Sequence, residues 1–153
     1  RPDGDFSLEI HPPKRIANRY PTEAQAKAFQ HLIDNQATIR NAVLERILKE
    51  YPKWRENYFG GQFSSDGGKT YQSGWNLPDM FPPETMPEIK HPNDLMKIIK
   101  PGTIHVLTKE INGFARIGFS FSCKWDEEHG LGVLTHKGKV LEVGQADASF
   151  NDA

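Results

Sequence analysis

A chain of 153 residues, 37% hydrophobic and 25% charged, falls in the size range of one domain and can bury a core of its own. Its formal net charge of −1 argues against an electrostatic nucleic-acid binder, and its lone Cys123 excludes an intramolecular disulfide and any multi-cysteine zinc site. No stretch approaches the roughly 20 apolar residues of a membrane-spanning helix, so the expected setting is the cytoplasm, with Arg1 in first position reading as a trimmed or processed start.

Residues 6–10 alternate apolar and polar ahead of Pro12-Pro13, which predicts a short edge strand. Helix signals then begin at Pro21 and Thr22, with Glu23 placed where a negative charge suits the helix dipole. Ala24, Ala28, Phe29, Leu32 and Ile33 keep helical spacing up to Asp34-Asn35, a cap-and-turn pair that separates a second helix. In that second helix Ile39, Val43 and Ile47 step by four, and Leu44, Leu48 and Tyr51 fill the same side, opposite Arg40, Glu45, Arg46 and Lys49. Pro52 either ends this helix or restarts a turn.

Residues 60–93 are punctuated by Gly60-Gly61, Gly67-Gly68, Pro78, Pro82-Pro83, Pro87 and Pro92, which forbids long regular elements. Phe63, Tyr71, Trp75 and Phe81 are expected to pack this long loop onto the domain. A brief helical turn follows from Pro92 through Ile99, closed by Pro101-Gly102. The last third reads as a meander. A strand from Ile104 to Ile111 meets the hairpin signal Asn112-Gly113, and the next strand carries Ile117, Phe119, Phe121, Cys123 and Trp125 on one face. Residues 131–135 and 140–143 follow, joined by Lys137-Gly138. The expected class is α+β: one domain over residues 1–153, with an N-terminal helical pair packed on a C-terminal antiparallel β-meander.

The densest polar cluster is Asp126, Glu127, Glu128 and His129, just before Gly130-Leu131-Gly132. Three carboxylates and an imidazole are chemically able to hold a divalent metal or serve as a general acid/base pair, with His136 and Asp147 as further candidates. Their spacing matches neither H-E-x-x-H nor an EF-hand loop, so a turn-capping or recognition loop is the favoured reading, with no metal or catalytic residue assigned. Cys123 shares the apolar strand face and reads as a buried, inert thiol. Gly130-Leu131-Gly132 opens no helix and reads as strand-edge geometry rather than a phosphate cradle. Trp54, Tyr58, Phe59 and Trp75 are either an exposed recognition patch or, as favoured here, packing beneath the long loop.

The run from Gly118 through Cys123, Trp125-Asp126-Glu127-Glu128-His129-Gly130 and on to Leu134 resembles the signature of an uncharacterised bacterial domain family, as does the upstream Pro21-Thr22-Glu23-Ala24-Gln25. The likeness covers most of the chain outside residues 60–93; Gly144-Gln145-Ala146 departs from it where a second glycine is commoner. Such domains are met near toxin–immunity systems. The resemblance therefore implies a protein-binding module whose partner is another protein, a toxin in the favoured case, and which acts as an immunity-type inhibitor without a cofactor. Trp75, Asp126, Glu127, Glu128 and His129 are the expected contact residues. A metal-dependent hydrolase using the loop around Asp126 and His129, and a structural or regulatory module, stand as alternatives. No oligomeric state follows from the sequence.

Overall fold

The computed structural model describes residues 5–12, 21–59 and 85–151. The expectations placed on residues 60–84, Trp75 included, lie outside the described residues, as does the second proline of Pro12-Pro13. Strand β1 (Ser7–Ile10) is followed by α1 (Glu23–Asp34) and α2 (Gln36–Phe59). A 3₁₀ helix, Pro92–Lys97, then leads into β2 (Ile99–Ile111), β3 (Phe114–Cys123), β4 (Leu131–His136) and β5 (Lys139–Gly144), and a second 3₁₀ turn, Ala146–Phe150, closes the domain. The arrangement is α+β, a helical pair on a five-stranded sheet of order β1-β2-β3-β4-β5.

Helix α1 starts where the side chains can satisfy its orphan donors. Thr22 Oγ1 accepts from Gln25 N at 3.1 Å, and Thr22 N donates to Gln25 Oε1 at 2.9 Å, a complete capping box. Asn35 alone separates the helices, with its amide donating to the His31 carbonyl at 2.8 Å. The predicted stripe of α2 is the buried one: Ile39, Val43, Leu44, Ile47 and Tyr51 are all in the core. Pro52 does not stop α2. It sits on the exposed side of the helix, where its missing N–H faces away from the core. On either side of it Tyr51 Oη donates to Pro87 O at 2.7 Å and Arg55 Nε to Met86 O at 2.9 Å, which fastens the far half of α2 to the chain leading towards β2.

Three strand connections are hairpins, but β1 pairs with β2 in parallel, Ser7 opposite Thr103 through Ile10 opposite Val106. The helical pair is thus the crossover between two parallel strands, on an otherwise antiparallel sheet. Pro101-Gly102 does not precede the strand as expected; it lies within β2. Proline is tolerated there because β1 begins to pair only at Thr103, and the β2–β3 register shifts between Pro101 and Ile104. At that irregularity the Ser120 hydroxyl accepts from Thr103 N at 2.9 Å. Asn112-Gly113 and Lys137-Gly138 adopt positive φ at both positions, as two-residue hairpin turns require.

The two faces of the sheet are covered differently. Ile117, Phe119, Phe121 and Cys123 face the helices, joined by Trp125, which packs edge-on to Tyr51 and stacks on Trp54. On the reverse face the Ala146–Phe150 turn lies against the backbone of β3 and β4. A Cβ at Gly118 would fall 1.5 Å from Ser149 O, and one at Gly132 2.5 Å from Gln145 O. Gly132 is therefore a site of close backbone approach in a central strand, not the strand-edge feature expected from its sequence.

Candidate functional site

The acidic loop folds around its own first residue. Asp126 Oδ1 accepts from the His129 backbone N–H at 3.1 Å and lies 3.1 Å from His129 Nδ1. Its side chain is only 13% exposed, so this carboxylate is held in building the turn. Glu127, Glu128 and His129 are exposed. The chain next to Asp147 meets the loop, where Ala146 N donates to His129 O at 3.0 Å, whereas His136 stands at the other end of β4, its Nε2 2.9 Å from Ile111 O. Cys123 is buried beneath this loop, 3.5 Å from Asp126 O. Burial pushes its thiol up to about 12, the opposite of what a nucleophile needs.

A second feature lies on the helical side of the sheet. Between the α1–α2 elbow and the β1–β2–β3 surface runs a half-open, mainly apolar cleft of about 690 Å³. Phe6 and Leu8 from β1 and its approach, Phe29 and Ile33 from α1, Met96 from the 3₁₀ helix and Phe121 from β3 line it. Leu8 is 48% exposed, Ile33 44% and Met96 37%, so the lip of the cleft is as apolar as its floor. Phe6 packs edge-on to both Phe119 and Phe121 at the base. Asp5, Gln36 and Arg40 provide its polar margin, and Arg40 also donates to Asn93 Oδ1 at 3.2 Å. A cleft of this size and lining has the character of a ligand or partner site. None of the residues from Asp126 to His129 lines it.

The third feature was not singled out from the sequence. Glu9, His11 and His105 place three donor atoms within 4.8 Å of one another, the one such group of three among the described residues. The available signal was Glu9-Ile10-His11, two metal-type side chains two apart and so on one strand face.

A family model for the domain of unknown function DUF6985 matches residues 6–150, the span from the floor of the cleft to the closing turn. The chain belongs to the DUF6985 family. No curated protein and no solved structure matches this DUF6985 chain. No described helix of the DUF6985 domain is long and apolar enough to cross a membrane.

Proposed function

We propose that this domain is a protein-binding module that receives an apolar, extended segment of another protein in the cleft beside β1. The observation that carries the reading is the lip: Leu8, Ile33 and Met96 are large, exposed and adjacent to an open apolar floor. Scattered exposed apolar residues are ordinary, but a contiguous set around a concavity marks an interaction site. Among the described residues β1 is also an edge of the sheet, with β2 as its strand partner, and an edge strand is the place where a further strand can add. Extended backbone gives such a partner its hydrogen bonds, and alternate apolar side chains fill the cleft.

The finer reading is an immunity-type inhibitor of a bacterial toxin, acting in the cytoplasm; it draws on the family resemblance and on a fold whose lone thiol needs no oxidising compartment. The exposed Glu127, Glu128 and His129 are a second contact candidate. Photo-crosslinking in the native host tests both. A benzophenone side chain at position 8 or 96 is expected to form an adduct with one protein, which Ile33→Asp abolishes and a probe at Leu141 on the opposite edge strand does not form. An adduct only from position 128 moves the interface to the acidic loop. No protein adduct from any of these positions, or an apolar small molecule retained in the cleft in native mass spectrometry, overturns the protein-binding reading. A captured partner that arrests growth alone, and not when co-expressed with this chain, supports the immunity role.

A further inference from the structure

On the face of the sheet away from the helices, β1 and β2 bring two imidazoles and a carboxylate to one point. Glu9 stands opposite His105 in the parallel register, and His11 follows two residues later on the same face. His11 Nε2 lies 3.0 Å from His105 Nδ1, and the two Glu9 oxygens lie 3.6 Å from His11 Nε2 and 3.9 Å from His105 Nδ1. The rings are held in place. His105 is buried with Phe150 edge-on at 5.3 Å, and the backbone of His11 is fixed by N–H donation to Val106 O at 2.9 Å and by Gln25 Nε2 donating to His11 O at 2.7 Å. Glu9 stays on the solvent side, its side chain 61% exposed.

A single N–H···N hydrogen bond accounts for the contact between the imidazoles. It does not account for the carboxylate, whose two oxygens face the same two nitrogens. Three lone-pair donors converging on one point, contributed by two elements 94 residues apart, are the arrangement a cation completes. We propose that Glu9, His11 and His105 form a binding site for a divalent d-block cation of the zinc type. Metal–ligand bonds of about 2.0–2.1 Å in tetrahedral geometry separate ligand atoms by about 3.3–3.4 Å. The two imidazole nitrogens stand 3.0 Å apart, near that value, and each Glu9 oxygen approaches one of them, at 3.6 and 3.9 Å, so a swing of the exposed carboxylate that brings one oxygen to both nitrogens closes the site. Two imidazoles and one carboxylate favour zinc, cobalt, nickel or ferrous iron over the all-oxygen shells of calcium and magnesium. Burial, against the pull of Glu9, lowers the proton affinity of His105, in the direction that favours the neutral imidazole metals bind. Three protein donors leave a position for water or one further ligand. The cation would clip β1, a four-residue edge strand, onto the centre of the sheet. This inference is independent of the protein-binding reading, since the site and the cleft lie on opposite faces of the sheet.

The test uses the full chain, untagged and stripped with chelator, titrated with cobalt(II) and then zinc(II). One cobalt per chain is expected, with the visible bands of a low-coordinate ion, displaced by one zinc. His11→Ala and His105→Gln should each weaken binding by on the order of 100-fold, Glu9→Gln by about 10-fold, and Glu128→Gln and His129→Ala not at all. Glu9 lies on the edge strand and His11 just past its end, so their variants keep the test decisive should His105→Gln fail to fold. Zinc should raise the Tm of the parent chain and not that of His11→Ala. Absence of stoichiometric binding by the parent chain overturns the proposal. Affinity unchanged in His11→Ala and Glu9→Gln overturns it too, as does affinity that is lost in His129→Ala instead.

Discussion

The two faces of the sheet are covered by opposite means. The helical face is built from volume: Ile117, Phe119, Phe121 and Cys123 interlock with Ile39, Val43, Ile47 and Tyr51. The reverse face is built from its absence, where Gly118 and Gly132 let the Ala146–Phe150 turn rest on bare backbone. Volume that interlocks can relax partly when one side chain is trimmed. Backbone on backbone cannot relax when one is added, because a peptide group does not change rotamer.

Substitutions can break this contrast in order of size. Ile47→Ala, at a fully buried position on the helical face, should cost about 2–5 kcal/mol in urea unfolding while the cleft and hairpins persist. Gly118→Ala should cost about 1–3 kcal/mol despite adding a single methyl. Unlike the first, it should release the closing turn, visible as new cleavage within residues 146–150 under limited proteolysis. Thr22→Ala removes one half of the capping box and should cost about 1 kcal/mol, from the start of α1 alone. Gly144→Ala sharpens the comparison from the other side. The new methyl would meet Ala148 Cβ at 3.5 Å, ordinary contact, and stability should stay within about 0.5 kcal/mol of the parent. An equal loss from Gly144→Ala and Gly118→Ala would show that strand propensity, not close approach, governs these glycines.

The buried thiol adds a pH signature to the helical face. The unfolded thiol ionises near 9.0, whereas burial holds the native one to about 12. Over that window the unfolded chain binds fewer protons than the native one, so the contribution is full below the unfolded value and is lost as pH rises through the native one. Tyr51, whose phenol burial also pushes up, adds to the same alkaline loss. Cys123→Ala should flatten only the thiol's share of the slope above about pH 9. In the native protein at neutral pH a thiol reagent should label Cys123 far more slowly than in denaturant.

Elements made by neighbours in the chain were legible in the sequence. The start of α1 at Thr22, the break at Asn35, the buried stripe of α2, the period-two face of β3 and both hairpin turns all have local causes, and each stands where expected. What escaped has non-local causes. The parallel pairing of β1 with β2 joins residues nearly a hundred positions apart and leaves no mark in either strand. Pro101-Gly102 looked like punctuation because its tolerance depends on where β1 begins pairing. Gly118 and Gly132 are explained only by the turn that covers them. The candidate sites divide in the same way. Asp126 to His129 drew attention through local density, yet the structure ties Asp126 into its own loop. Glu9 and His11 were a faint pair until β2 supplied His105.

Gln25 makes these separations matter for how the chain assembles. Its Oε1 accepts from Thr22 N to complete the cap of α1, while its Nε2 donates to His11 O, Leu107 O and, at 3.4 Å, Val106 O. One buried amide thus belongs at once to the first turn of a helix, the end of an edge strand and the middle of a central strand. The local and the distant parts of the fold share a residue, so the side chain that caps α1 has all its hydrogen bonds only when β1 and β2 are side by side. Helix and sheet should therefore form and melt in a single cooperative step, rather than as a preformed helical pair waiting for its sheet.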